Sequence, residues 1–198
     1  METLEAIRTR RSNGKVHPDK PVDQALIETI LEAGTWAPNH HHTEPWKFFV
    51  QQGEGRRPLG KTLRKIAMEK IDSEEEALDE KEAQKLSKKE AKPFRAPVVI
   101  TIVVEPETKD KVIDIEEYAA AHAAAQNMLL AAHSLGLGAI WRSGAPTYHS
   151  EMRRLYNVSE RGGVVGFIYL GWPASAKKKE QQRKGIEEKT TWMNEDMS

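Results

Sequence analysis

The sequence predicts one domain of the α+β or α/β class, in which helices pack against a single sheet. Two continuous apolar runs, 96–104 (APVVITIVV) and 163–170 (GVVGFIYL), are typical of strands buried on both faces. Between them lies a long alanine-rich stretch that predicts a helix. With 198 residues, 38% of them hydrophobic, the chain is large enough for one domain with a substantial core.

The first part of the chain predicts two helices followed by a strand. A short helix with an apolar stripe precedes Arg8. Asp23 is a favourable N-cap for a second helix over 24–35, which ends before Pro38. The aromatic and β-branched segment 46–51 (WKFFVQ) then predicts a strand.

The segment 56–92 is the most polar part of the chain, since more than half of its residues are charged. Its broken apolar stripe predicts one or two exposed helices. Two interpretations stay open at this point. The segment is either a solvated cover over the domain or a mobile lid over a site.

The second half of the chain continues the alternation of helices and strands. Asp114 is predicted to cap the alanine-rich helix over 115–135. A short strand at 139–142, a short helix at 150–156 and the apolar strand already described follow. The tail 172–198 is polar and lysine-rich, but it carries a tryptophan that requires a covering surface, such as a partner subunit.

Charge and cysteine content exclude several classes of function. Lysine plus arginine and aspartate plus glutamate number 30 each, so no overall field favours nucleic acid or a membrane surface. The chain has no cysteine, which excludes disulfides, thiolate catalysis and cysteine-ligated metal sites. The first residues lack the apolar core of a signal peptide, and the expected location is the cytoplasm.

Arg10, Arg11 and Ser12 place two guanidinium groups and a hydroxyl at the end of the first helix. Guanidinium groups match phosphate oxygens, and a serine hydroxyl adds a further hydrogen bond. The triplet therefore predicts a phosphate site, although surface arginine pairs without a ligand are common.

The segment 36–46 is a polar loop between two prolines, and it contains three consecutive histidines. Adjacent residues cannot all turn toward one ion, and no paired ligand framework accompanies them. We therefore expect no metal site here. The loop instead presents hydrogen-bonding side chains at the edge of the predicted sheet.

The segment 140–146 is a strand end that runs into a turn containing glycine and proline. Backbone N–H groups of such a turn can point toward a ligand, and Arg142 offers a further cation. An ordinary connecting loop is the alternative. His122 and His133, on the alanine-rich helix, are predicted to serve packing or capping.

Five segments, taken in order, resemble the nitroreductase family of flavoproteins, and most closely its small bacterial NAD(P)H nitroreductases. The resemblance spans 10–171 and is strong because the segments share the family's order and spacing. Its landmarks are RRS at 10–12, APNHHHTEPW at 37–46, FRAPVVITIVV at 94–104, GLGAIWRSGAPT at 136–147 and VGFIYLGWP at 165–173.

The resemblance implies a single α+β domain over 1–198, with a mixed, mainly antiparallel sheet flanked by helices. It also implies an intertwined homodimer with FMN at the interface and NADH or NADPH as electron donor. Nitroaromatic or quinone-like acceptors would be reduced by ping-pong hydride transfer through flavin N5. A flavin-binding or storage module without turnover and a dehalogenase-type flavoenzyme share the fold and remain alternatives.

The family's flavin-binding positions fall on three segments of this chain. The phosphate and ribityl chain are assigned to Arg10, Arg11 and Ser12. The loop that approaches the flavin from the partner subunit contributes Trp36, Asn39, His40, His42 and Glu44. The second flavin segment contributes Trp141, Arg142, Ser143 and the turn at Gly144, a source of a backbone N–H toward N5.

The resemblance further assigns nicotinamide nucleotide binding to one stretch at the end of the alanine-rich helix. These residues are Ala131, Ala132, His133, Ser134, Leu135 and Gly136. A helix C-terminus repels phosphate, which weighs against this assignment. No side chain is expected to act as a catalytic acid, so the resemblance leaves proton supply to solvent, while Arg10 and Arg142 would stabilise negative charge.

Three loop residues depart from the family's pattern. Many members carry Ser, Asn and Gln where this chain has Asn39, His42 and Glu44. A glutamate can only accept where a glutamine could also donate, and it would disfavour an anionic ring. We therefore expect Glu44 either to face away from the flavin or to pair with Arg142.

Overall fold

The computed structural model describes residues 1–71, 79–175 and 182–194. Parts of the charged segment and of the tail lie outside the described residues. The helices and strands follow in the predicted order, with bounds within about two residues of those expected. They are α1 (Thr3–Thr9), α2 (Gln24–Thr35), β1 (Trp46–Gln52), α3 (Arg57–Met68), α4 (Glu80–Glu90), β2 (Val98–Val104), α5 (Asp114–Ser134), β3 (Gly138–Arg142), α6 (Ser150–Leu155) and β4 (Gly163–Gly171).

The four strands form one sheet in the order β1-β2-β4-β3. Every pair in it is antiparallel, which confirms the predicted antiparallel character. The two apolar runs are the central strands β2 and β4, and both are buried along their whole length. β3 lies at one edge of the sheet, where its outer side is open to the site described below.

Helices cover both faces of this sheet, so the α+β class is confirmed as a three-layer arrangement. Alternate side chains of a strand point to opposite faces. Ile100 and Ile102 of β2 accordingly join a core that includes α2 and α5, while Val99 and Val103 join a second core with α3 and α6. The site is built at the α5 face.

α5 is the long alanine-rich helix, and alanine lets its neighbours approach closely. Five of its alanines are buried, and α2 packs along it. The prediction that Asp114 caps this helix is wrong. Ile113 occupies the cap position, and Asp114 is the first helical residue. Its carboxylate instead accepts hydrogen bonds from Arg161, a partner 47 residues away.

The described part of the charged segment forms α3 and α4. Leu59, Leu63 and Ile66 of α3 are buried in the second core, and Leu86 anchors α4. These contacts favour a cover over that face rather than a lid. Among the described residues, no helix is long and apolar enough to cross a bilayer.

Candidate functional site

A pocket of about 420 Å³ opens between α5 and the edge strand β3. This volume lies within the range of small-molecule and cofactor sites. Its lining residues come from four parts of the chain, namely the loop after α1, one face of α5, the end of β3 with the turn after it, and β4. They are Arg10, Ser12, His122, Gln126, Leu129, Trp141, Ser143, Tyr148 and Val165.

The structure brings together four of the residues predicted from sequence. Arg10 and Ser12 are 129 or more positions away from Trp141 and Ser143, yet all four line the pocket. α1 ends at Thr9, so the chain is extended at Arg10 and turns its side chain toward α5 and β3. A cation, hydroxyl groups and an indole therefore border one cavity.

The Arg10 end of the pocket carries excess positive charge. Burial lowers the pKa of Arg10, and the nearby charges of Arg11 and Arg183 lower it further. A guanidinium nevertheless stays protonated in proteins. No carboxylate of the described residues is among the groups that shift the pKa of Arg10, so an anionic ligand would relieve the repulsion. Arg183 was not predicted as part of this region, because the only indication in the sequence is the basic character of the tail.

Arg11 does not line the pocket. Its Nη1 donates hydrogen bonds to the carbonyls of Arg8 at 2.7 Å and Arg10 at 2.9 Å. Arginine at a helix C-terminus often satisfies such carbonyls. Arg11 therefore stabilises the end of α1 and adds to the field at Arg10.

Trp141 forms the aromatic side of the pocket. Its Nε1 is buried, and among the described residues it is a side-chain polar atom without a hydrogen-bond partner. The indole lies against β4 at Gly166, where an added Cβ would come within 2.7 Å of Trp141 Cδ1. Nε1 is the atom nearest to that Cβ position, so the buried indole N–H lies against the backbone of β4.

His122 and Gln126 lie one helical turn apart on the face of α5 that lines the pocket. The His122 ring centroid is 5.5 Å from that of Trp141, with the rings tilted by 43°. His122 thus packs against a neighbour, as predicted, but it also borders the cavity. Gln126 and Tyr148 were not predicted, because only the packing of α5 near β3 brings them to the same pocket.

Arg142 does not line the pocket. It follows Trp141 on β3, so its side chain points to the opposite face of the sheet. Its guanidinium lies 5.5 Å from the Tyr169 ring and close to Gly14, where an added Cβ would be 3.2 Å from Arg142 Nη2. No ion pair of the described residues joins it to Glu44.

The turn after β3 begins at Gly144, whose φ of 115° favours glycine. Its carbonyl accepts hydrogen bonds from the backbone N–H of Thr147 at 2.9 Å and from the Thr147 hydroxyl at 2.7 Å. This closed turn positions Ser143 on one side of the pocket and Tyr148 on the other.

The polar loop 36–46 contains the three consecutive histidines and is called the histidine loop below. It has an unusual backbone. His41, His42 and Glu44 all have positive φ values, between 45° and 56°. Such conformations cost about 1–3 kcal/mol each for residues other than glycine, and surrounding contacts must maintain them. We therefore expect the surrounding contacts to keep this loop in a single conformation.

Two adjacent glutamates at the start of α5 hold this loop. The Thr43 hydroxyl donates to Glu117 Oε1 at 2.7 Å, and His40 Nδ1 lies 2.5 Å from Glu116 Oε2. Glu117 is only 1% exposed, and it also accepts from the backbone N–H of Glu107 at 3.2 Å. This buried carboxylate was not predicted from the sequence pattern.

None of the predicted residues of this loop lines the pocket of its own chain, namely Trp36, Asn39, His40, His42 and Glu44. Trp36 is 80% exposed. Within the part of the chain that the structure describes, no three His, Asp or Glu side chains are arranged to hold a metal ion.

The predicted nicotinamide stretch 131–136 also lies outside the pocket lining. It forms the last turn of α5 and the residues that end the helix. His133 Nε2 is 2.9 Å from the Thr9 hydroxyl and so links α5 to α1. Gly136 ends the helix in the left-handed conformation, with φ of 78°.

Comparison with known proteins gives consistent results for sequence and fold. The model of the Nitroreductase family matches residues 7–172. YdjA of Escherichia coli (strain K12), provisionally named an NAD(P)H nitroreductase, is 38% identical over 173 residues, which are 87% of this chain and 89% of YdjA.

Two solved structures show the same fold. A nitroreductase-like family protein from Bacillus cereus has a TM-score of 0.79 and 28% identity, covering 98% of this chain and 97% of its own. A nitroreductase with bound FMN from Bacteroides fragilis NCTC 9343 has a TM-score of 0.68 and 25% identity, covering 93% and 95%.

Proposed function

The chain belongs to the nitroreductase family, and we propose that it is an FMN-dependent NAD(P)H oxidoreductase that reduces flat aromatic acceptors. The observation that carries this proposal is the pocket in which Arg10 and Ser12 meet Trp141 and Ser143. The FMN bound by the related Bacteroides fragilis protein supports the choice of cofactor.

The residues present suit FMN. Arg10 and Ser12 would hold the phosphate, because a guanidinium and a hydroxyl donate charge-assisted hydrogen bonds to its oxygens. The Trp141 indole offers an aromatic surface for a flat ring. Ser143 would complete the polar border at the other side.

FMN, when bound, would supply the redox chemistry, which is hydride transfer from NAD(P)H to the acceptor. The protein's part is to bind, orient and stabilise charge. Arg10 places a preorganised positive charge at the pocket, where it would bind the anionic phosphate of the cofactor. A single cavity used in turn by donor and acceptor predicts ping-pong kinetics, and a flat aromatic cofactor would favour flat acceptors such as nitroaromatics and quinones.

We propose that the protein works as a homodimer in the cytoplasm. Large apolar side chains are exposed on α1, on the histidine loop and on the tail. Trp36 is 80% exposed and Trp192 is 77% exposed, and both need a covering surface. A second subunit would cover them, and its histidine loop would complete this chain's site.

The first test is the spectrum of the purified protein, followed by anaerobic addition of NADH or NADPH. We expect flavin absorption bands that bleach with NAD(P)H and return when 1,4-naphthoquinone or nitrobenzoate is added. Bound FMN that neither donor reduces would instead indicate a storage module. Halide release from a halogenated phenol, without quinone reduction, would indicate a dehalogenase-type enzyme.

A further inference from the structure

The pocket contains one histidine, His122, which the flavin assignment does not use. Histidine is the side chain that ordinarily titrates between about pH 5 and 8. The other titratable side chains that line the cavity are Arg10, from the loop after α1, and Tyr148, from the turn after β3. Both ordinarily titrate far from neutrality.

A hydrogen bond to the helix backbone sets the state of the His122 ring. Nδ1 lies 2.5 Å from the carbonyl oxygen of Tyr118. A carbonyl can only accept, so Nδ1 carries a hydrogen and donates it. Nε2 is therefore the atom that gains and loses the exchangeable proton, and it makes no hydrogen bond to any described residue.

The surroundings of His122 differ from those of two other histidines. His40 lies 2.5 Å from Glu116, and His149 lies 3.0 Å from Glu69, so each of these histidines has a carboxylate partner. No carboxylate is among the residues that line the pocket with His122. Of the described residues, β3 contributes only Trp141 there and the turn after it contributes Ser143 and Tyr148, and His122 is itself exposed to solvent. Its proton can therefore be given up and replaced from water.

We propose that His122 is a catalytic acid, which donates the Nε2 proton to the oxygen of the acceptor as hydride arrives. This inference rests on the proposed function. Quinone and hydride give the hydroquinone anion, and the one proton from His122 Nε2 gives the neutral hydroquinone. NAD(P)H is the reductant, the Nε2–H bond breaks, an O–H bond forms, and solvent reprotonates the imidazole.

The kinetic test separates the two halves of the reaction by stopped flow, using His122→Gln and, as control, His17→Gln. His17 is exposed and lies outside the pocket lining. We expect His122→Gln to keep its rate of flavin reduction by NAD(P)H. Reoxidation by 1,4-naphthoquinone should slow by about 100-fold or more, the usual contribution of a general acid. The wild-type reoxidation rate should fall as pH rises from about 5 to 8, and the variant's should not.

A second measurement follows the Nε2 resonance of His122 by NMR in the absence of turnover. The protein is labelled with ¹⁵N-histidine, loaded with FMN and kept oxidised. The Nε2 resonance of His122 is the one that is present in the wild-type spectrum and absent from the spectrum of His122→Gln. Adding 1,4-naphthoquinone without NAD(P)H should shift this resonance saturably and leave that of His17 in place. A resonance that does not respond would overturn the proposal, even if the variant were slow.

The two proposals fail in different ways. If the protein does not bind FMN, or if NAD(P)H does not reduce it, the proposed function fails and this inference with it. If reduction is normal but His122→Gln reoxidises at the wild-type rate throughout the pH range, only the role of His122 is overturned.

Discussion

Gly166 gives the sharpest test of how the sheet shapes the pocket. It lies on β4 under the Trp141 indole, and a Cβ added there would meet two groups of β3. It would lie 2.7 Å from Trp141 Cδ1 and 2.8 Å from the backbone oxygen of Arg142. Neither is the free end of a flexible side chain, so Gly166→Ala must displace β3 and the indole together.

The magnitude follows from the cost of forcing atoms into a packed region, about 1–3 kcal/mol for one extra carbon. The displaced indole borders the cavity, so its shift alters the cavity wall. We therefore expect Gly166→Ala to lower the free energy of unfolding by about this amount. FMN affinity should fall about tenfold, which corresponds to about 1.4 kcal/mol.

Gly55→Ala is the matched control, because nothing lies within 4 Å of a Cβ at Gly55. Urea unfolding followed by circular dichroism gives the stability, and quenching of flavin fluorescence gives the affinity of the folded variants. The control should change either quantity by less than about 0.5 kcal/mol. Wild-type stability and FMN affinity in Gly166→Ala would refute the packing argument.

Three further predictions concern groups outside the pocket lining. Glu117→Ala should lower the free energy of unfolding in urea by about 1–3 kcal/mol, because it leaves the Thr43 hydroxyl without its acceptor. Glu117→Gln should lose less than half of that, and equal losses would contradict the hydrogen-bonding role. Burial raises the pKa of Tyr156 to about 12. Its contribution to stability is therefore present below its ordinary value of about 10 and lost as pH rises toward 12, so Tyr156→Phe should flatten this alkaline decline in urea titrations. The hydrogen bond from Arg161 lowers the pKa of Asp114, so its contribution is lost as pH falls below about 3.8, and Asp114→Asn should flatten the acid limb.

The fold was predictable because its main signals are local. The apolar runs that form β2 and β4 bury every residue, as continuous hydrophobicity indicates. Asp23 caps α2, and its side chain accepts from the N–H of Ala25 at 3.1 Å. Both predictions depend only on neighbours within a few positions along the chain.

Features set by distant partners were not predictable from the pattern. The sequence pattern favours Asp114 as the cap of α5, but Asp114 is the first helical residue and its carboxylate accepts from Arg161, which is near only after folding. Strand alternation directs Arg142 away from the side of β3 that borders the pocket, toward Tyr169. The sequence motif includes both Trp141 and Arg142, but it does not show which face of the edge strand β3 each side chain occupies.

The candidate site was half predictable for the same reason. Arg10, Ser12, Trp141 and Ser143 were identified through short motifs, and the structure brings them into one cavity. His122 was assigned to packing because its position relative to Trp141 depends on how α5 crosses β3. Whether the histidine loop reaches a partner's flavin stays a prediction, since that contact would form between two chains.

The proposed function depends most directly on Arg10 binding the FMN phosphate. The decisive measurement is the dissociation constant of FMN and of riboflavin, which lacks the phosphate, for wild-type protein, Arg10→Ala and the exposed-helix control Lys89→Ala. A charge-assisted hydrogen bond contributes about 1.5–3 kcal/mol. Arg10→Ala should therefore weaken FMN about 10- to 150-fold, with riboflavin and the control unchanged. Equal FMN affinity in all three proteins, or equal loss for FMN and riboflavin in Arg10→Ala, would contradict the phosphate assignment.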